Sequence, residues 1–291
     1  MSVVPWIRRE RPQKPKQQPE TMCDPRQEAT SLIHYLAQDH HPGNEIGAVS
    51  CSIYDTAWVS MVEKPGTDGE RIWAFKESFE FLLQSQCEDG GWDADAVLFD
   101  RVAHTLAGLL AIKKHLNRER DHTTRQSWAM RISSAIELLN KALPELPTAV
   151  AYELPIGAEL WLPKLLELLE DEHIHLNSTS VLRWILPDRD EKLAQFPIGT
   201  LYKPGLTSIA HSLEAFVGHA DFNKVSVLKS CGSMMGSPSA TAAYLIFSET
   251  WDDDADAYIR RAINNSYACG HGGVPSTFPT TIFEYSWVSE T

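Results

Sequence analysis

Phe99-Asp100-Arg101-Val102-Ala103-His104-Thr105-Leu106-Ala107-Gly108-Leu109-Leu110 sets Phe99, Val102, Ala103, Leu106, Leu109 and Leu110 at i, i+3, i+4, i+7 spacing. The 3.6-residue period of an α-helix gathers these side chains into one apolar stripe. Downstream the pattern repeats in Trp128, Ile132, Ile136, Leu139 and Leu143, and Pro144 ends it because proline lacks the N–H the next turn needs. Leu160, Leu162, Leu165, Leu166, Leu168 and Leu169 are apolar on nearly all sides, as on an inner helix. Leu206, Ile209, Ala210, Leu213 and Phe216 form another stripe, closed by Gly218, and Pro238 stands where a first-turn proline would open the Ala-rich helix Ser239–Phe247. Period-2 strands and Gly-rich strand-to-helix turns are missing from this pattern. The expected fold is all-α, built from helical hairpins with short Pro/Gly-marked loops.

The 291 residues carry 26 Lys+Arg against 39 Asp+Glu, a formal charge of −13. Phosphate backbones are bound by clustered Lys and Arg, so this balance speaks against a nucleic-acid partner. Hydrophobic residues at 43% and charged residues at 22% are those of a globular protein. No run of about 18 apolar residues offers a membrane span. Cys23, Cys51, Cys87, Cys231 and Cys269 show neither CxxC spacing nor a disulfide framework, which suits a reduced, cytoplasmic chain. Residues 1–25 are rich in Arg, Lys, Gln and Pro, hold no apolar signal-peptide core, and read as a solvated tail.

Two loops share a form. Gln86-Cys87-Glu88-Asp89-Gly90-Gly91-Trp92 follows a helix ending in Phe81, Leu82 and Leu83, and its Asp-Gly-Gly supplies a tight turn from which Trp92 folds back. Lys229-Ser230-Cys231-Gly232-Ser233 holds the corresponding place after a later helix, in weaker form.

Five segments in order carry a resemblance. Ser52-Ile53-Tyr54-Asp55-Thr56-Ala57-Trp58-Val59 resembles an S-x-Y-D-T-A-W-V signature, Gln86 to Trp92 a Q-x-x-D-G-x-W turn, and Phe99 to Ala107 the helix after it. Gly236-Ser237-Pro238-Ser239-Ala240-Thr241-Ala242 is similar to an S-P-S-x-T-A helix start, and Gly273-Val274-Pro275 through Phe278-Pro279 to Phe283-Glu284 and Trp287 to a V-P-x-x-[FY]-P…F-E…W segment. Together, over Glu45–Thr291, they resemble class II diterpene cyclases of the copalyl diphosphate synthase type, closer to the fungal bifunctional diterpene synthases than to plant members.

The resemblance implies α/α-barrel domains of terpene-cyclase type. Residues 26–48 would hold the first helix of a β domain, 49–229 an inserted γ domain, and 230–291 the resumed, partial β domain. In such enzymes a carboxylic acid protonates the terminal alkene of geranylgeranyl diphosphate in the cleft between the two domains, and a base finishes the cyclisation. That acid belongs to an Asp-x-Asp-Asp motif, which the 291 residues lack. The pattern stops inside an apolar run (Ile282, Phe283, Trp287, Val288). This implies a general acid absent from the chain, little activity alone, and self-association through an exposed partial β domain. The alternative is a non-catalytic remnant or helper that binds a prenyl diphosphate or a partner cyclase.

Three positions carry over. Lys192, ahead of Phe196-Pro197, matches the lysine that contacts the substrate diphosphate, where an ammonium acts as a point charge. His211 matches the histidine that holds the deprotonating water, and its partner asparagine falls at Ser276, whose hydroxyl cannot copy an amide. Plant members carry an acidic cluster where this chain has Thr148-Ala149-Val150-Ala151-Tyr152, which leaves magnesium only as an ion brought by the diphosphate. Asp252-Asp253-Asp254-Ala255-Asp256 formally satisfies a magnesium-binding DDxxD pattern, but its place at a helix start favours capping. Asp93-Ala94-Asp95-Ala96 reads as a solvated loop. Asp55 reads as a helix-start carboxylate, Trp58 as core, Ser237 as an N-cap, and His40, His41, His173 and His175 lack partners at metal-ligand spacing.

Overall fold

The computed structural model describes residues 30–31, 49–93, 95–149, 154–155, 157–205, 207–266 and 269–281. The expected tail, residues 26–29 and 32–48 of the expected first helix segment with His40 and His41, Leu206 and the apolar run from Ile282 to Val288 lie outside them.

Helix α1 (Ile53–Ser60) opens the described fold. Ser52 is its N-cap and accepts the Asp55 N–H, while the Ser52 hydroxyl donates to the Asp55 carboxylate at 2.6 Å, a reciprocal cap that fixes where the helix starts. Its residues are nearly all buried, since α1 packs on α2 (Lys76–Ser85), α3 (Leu98–Arg118) and α7 (Pro238–Phe247). A hairpin of β1 (Glu63–Pro65) and β2 (Arg71–Trp73) turns the chain from α1 into α2. The stripe expected on α3 is there: Phe99, Val102, Ala103, Leu106, Leu109 and Leu110 are all buried. Each such side chain stabilises the fold by roughly 1.5–3 kcal/mol relative to exposure.

Helix α4 (His122–Ala142) lies along α3, and Pro144 breaks it into a 3₁₀ turn, as the sequence leads one to expect. Helix α5 (Ala158–Asp171) is the expected inner helix, packed between α3, α6 (Thr179–Gln195) and a 3₁₀ helix over Ser208–Phe216. The stripe Ile209, Ala210, Leu213, Phe216 belongs to that 3₁₀ helix, which is broken at Ser212 (φ −121°, ψ 43°). Its apolar spacing is real, with Ala210, Leu213 and Phe216 buried, but the backbone is tighter and kinked where an α-helix was expected. Ser237 caps α7 by accepting the Ala240 N–H, with Pro238 in the first turn as anticipated.

The Gln86–Trp92 turn shows why that run is spelled as it is. Cys87 N–H donates to the Gly91 carbonyl at 2.8 Å and the Gln86 amide to the Gly90 carbonyl at 2.8 Å. Gly90 has φ +89° and sits against the Ser134 backbone, so a side chain there would both strain and collide. Trp92 is fully buried, donates Nε1–H to the Leu82 carbonyl at 2.9 Å, and lays its ring on Gly108 of α3. The later loop is a small hairpin, Lys229–Ser230 with Ser233–Met234, turning through Cys231 (φ 50°) and Gly232 (φ 82°), with no aromatic closing it.

One hydrophobic cluster runs from Ile53 to Phe278. The C-terminal segment returns to α1: Ser52 N–H donates to the Val274 carbonyl at 2.9 Å, and Cys51 bridges Pro275. Among the described residues no helix is long and apolar enough to cross a membrane.

Candidate functional site

The start of α1 presents Tyr54 and Asp55 toward the 3₁₀ helix and the start of α7. Asp55 does more than finish its own helix cap. Its other oxygen accepts the Ser239 N–H at 3.0 Å, one of the donors that α7 leaves without a helical partner. Glu214, on the 3₁₀ helix, accepts from the Tyr54 hydroxyl at 3.0 Å and from the Ser239 hydroxyl at 3.4 Å. Asp55 and Glu214 are both buried, and the second oxygen of Glu214 has no hydrogen-bond partner. Burial, reinforced by the charge of Asp55, lifts Glu214 from the ordinary 4.5 to about 8. Burial also raises Asp55 and raises Tyr54 well above the usual phenol. At neutral pH this nest holds a proton on Glu214.

His211 stands one turn before Glu214 and within electrostatic reach of Asp55. Its Nε2 lies 3.2 Å from the Thr277 hydroxyl, which joins the 3₁₀ helix to the C-terminal segment. The structure thus pairs His211 with Thr277; Ser276, the neighbouring position expected to face it, is exposed and makes no hydrogen bond among the described residues. A threonine hydroxyl both donates and accepts, so it holds either imidazole tautomer.

Lys192, on α6, pairs with Glu159 at the start of α5. The pair lies in a groove of about 340 Å³ lined by Leu154, Glu159, Asp188, Glu191, Lys192 and Gln195. Three carboxylates around one ammonium make the groove acidic. Two residues ahead, Gly157 (φ +84°) approaches Ser212 beside His211. Lys192 and His211 therefore sit on elements that meet at the start of α5, walled by Trp161, which packs on Tyr54 and Phe99.

The other candidates resolve into structural roles. Asp252 caps α8 (Asp253–Asn265), accepting from Asp254 and Ala255 N–H, and binds Lys229 at 2.6 Å and the Tyr244 hydroxyl at 3.0 Å. The DDxxD look-alike is thus a helix cap, and among the described residues no three His, Cys, Asp or Glu side chains converge as a metal ion would need. Trp58 is buried core. A cavity of about 470 Å³ at the other end of α1, lined by Trp58, Met61, Leu110, Val217, Ile246 and Phe247 with Arg71 and Lys114 among its charged walls, includes none of His211, Ser276 or Lys192. Sequence reasoning did not single out Glu214, although a carboxylate inside the stripe Ile209–Phe216 was the visible signal.

Over 266 residues, 91% of its length, the chain is 40% identical to a copalyl diphosphate synthase of Talaromyces verruculosus. The chain is homologous to part of the fungal diterpene cyclases. It is 40% identical over 267 residues to a phyllocladan-16-alpha-ol synthase of Phomopsis amygdali and 37% identical over 268 residues to an ent-kaur-16-ene synthase of Fusarium fujikuroi. It spans about a quarter of the length of these relatives, 27%, 26% and 28% respectively. No protein-family model matches it. Its structure is similar, at TM-score 0.69 and 28% identity over 90% of this chain and 35% of the other, to ent-copalyl diphosphate synthase from Arabidopsis thaliana in complex with (S)-15-aza-14,15-dihydrogeranylgeranyl thiolodiphosphate. Abietadiene synthase from Abies grandis matches at TM-score 0.69 and 25% identity, over 90% of this chain and 32% of that one. The all-α, terpene-cyclase fold expected from the sequence is therefore the fold observed.

Proposed function

We propose that these residues form the γ portion and part of the β portion of a class II diterpene cyclase, with the division near residues 49 and 229, and that they bind and orient geranylgeranyl diphosphate for cyclisation to a copalyl-type diphosphate. The observation that carries this reading is the convergence of His211, Thr277 and the Asp55–Glu214 nest at the meeting of the 3₁₀ helix, α1 and the C-terminal segment. His211, held by Thr277, is the base side of the reaction, able to take a proton directly or through a water. Lys192 anchors the diphosphate, and magnesium arrives with that diphosphate. With no Asp-x-Asp-Asp in the 291 residues, protonation of the alkene is left to residues other than these.

The test replaces the matching N-terminal quarter of the Talaromyces verruculosus relative by this chain and supplies geranylgeranyl diphosphate with magnesium. A bicyclic copalol-type alcohol after dephosphorylation is expected, and its loss in His211→Ala. Geranylgeraniol alone from a chimera that melts cooperatively would overturn the reading. The 291 residues by themselves are expected to yield only geranylgeraniol.

Lys192 gives a second, independent check. Lys192→Gln is expected to weaken prenyl diphosphate binding about tenfold, the scale of one charged hydrogen bond. Glu159→Gln, which frees the ammonium, is expected to tighten it. Calorimetric titration reads both, and equal affinities in wild type and Lys192→Gln would remove Lys192 from the site. Size-exclusion chromatography with light scattering tests the expected self-association, which a monodisperse monomer would refute.

A further inference from the structure

We propose that Cys51 and Cys269 form an oxidisable thiol pair that a peroxide converts to a disulfide, stapling the start of α1 to the C-terminal segment that holds His211. This stands or falls separately from the cyclase reading.

The two residues flank one point of closest chain approach. Cys51 bridges Pro275, and its Sγ reaches the Val274 carbonyl at 3.5 Å. Gly273 passes between the two cysteines: a Cβ placed on it would lie 2.6 Å from Sγ of Cys51 and 3.1 Å from Cβ of Cys269. Only glycine leaves that space open, so the Cys51 thiol and the Cys269 side chain border it from two sides. Bridged cysteines need Cβ atoms about 3.5–4.5 Å apart, a spacing set by the backbone, and rotation about each Cα–Cβ bond then turns the sulfurs toward each other over the glycine.

The pair is also chemically unequal. The hydrogen bond from Cys269 lowers the Cys51 thiol, while that same bond and burial raise Cys269. Cys51 is half-buried and Cys269 buried, so an oxidant meets the more acidic sulfur first. The Cys51 thiolate attacks one peroxide oxygen, the O–O bond breaks, and the departing hydroxide takes a proton to become water, leaving a sulfenic acid. The Cys269 sulfur then attacks Cys51, the S–O bond breaks, and that oxygen leaves as a second water with the Cys269 proton. Both sulfurs are oxidised and both peroxide oxygens reduced. The staple would tie down the segment bearing Thr277, the partner of His211.

The experiment treats the reduced full chain with stoichiometric hydrogen peroxide, alkylates remaining thiols, digests without reductant and maps peptides by mass spectrometry. A Cys51–Cys269 linked peptide is expected, reversed by dithiothreitol, retained in Cys231→Ser and lost in Cys51→Ser. Oxidation is expected to raise the melting temperature by about 5–10 °C, as closing a long loop should. Cys231 is exposed and serves as the internal reporter of oxidant dose. If Cys231 is oxidised while Cys51 and Cys269 are recovered unlinked, or if either is joined to a different cysteine, the proposal is wrong.

Discussion

Trp92→Ala is expected to remove about 3–5 kcal/mol of stability, the range for deleting a buried aromatic. The upper end applies here because the walls cannot close in. The Trp92 ring lies on Gly108, where an added Cβ would come within 2.9 Å of ring carbons, so one wall of the cavity is α3 backbone. The Leu82 carbonyl at the end of α2 also loses its Nε1–H donor. The ring is what joins the end of α2 to the middle of α3, so its loss uncouples two helices that both pack on α1. Against a typical total of about 5–15 kcal/mol, this is a large fraction, and a fall in melting temperature of about 10 °C should follow. Trp92→Phe keeps most of the volume and should lose only about 1–2 kcal/mol. Thermal unfolding of the two variants by circular dichroism decides it. If Trp92→Ala costs less than 1 kcal/mol, the turn does not hold the helices as described.

The helices were legible because their warrants are local. The stripe of α3, the proline stop of α4, the all-round apolar faces of α5 and the Ser-Pro start of α7 each depend on residues within a turn or two. The 3₁₀ helix differs from the expected α-helix because stripes at i, i+3 suit both geometries, and the kink at Ser212, which lies beside Gly157 ahead of α5, leaves no mark on the stripe. The site divides in the same way. His211 and Lys192 could be picked out, since a lone histidine or lysine at a motif position is visible in one dimension. Their partners could not. Thr277 and Ser276 are neighbours in a bend just after the Pro275 bridge, so which one faces His211 depends on how that segment docks on α1. Glu159 lies 33 positions from Lys192, and Asp55 lies 184 from Ser239. Asp55 looked like a carboxylate for its own helix start, and is one; that it also caps α7 needed the packing of two distant helices.

Between pH 6.5 and 8 the protein is expected to lose about 2 kcal/mol of stability through Glu214, at 1.36 kcal/mol per pH unit for one proton. The sign follows from where the proton sits. Glu214 ionises near 4.5 in an unfolded chain but near 8 in the folded one, so in this window folding takes up a proton. Its contribution is fully present below pH 4.5 and is lost as pH rises through 8. His115 works the other way. Burial lowers it from 6.5 to about 4, with its ring stacked on Trp73 and Phe79, so its contribution is present above 6.5 and fades as pH falls toward 4. The two opposing slopes cancel between about pH 4.5 and 6.5, which gives a plateau there and leaves the alkaline limb above it to Glu214. Asp55, also raised by burial, adds to Glu214 with the same sign. Glu214→Gln keeps the shape and an acceptor for Tyr54 but cannot ionise, and should flatten the alkaline limb. Denaturant unfolding of both proteins at pH 6.5, 7.2 and 8 measures the difference. Parallel curves would mean that Glu214 carries no proton at neutral pH, and the buried nest beside His211 would then have to be a pair of charges.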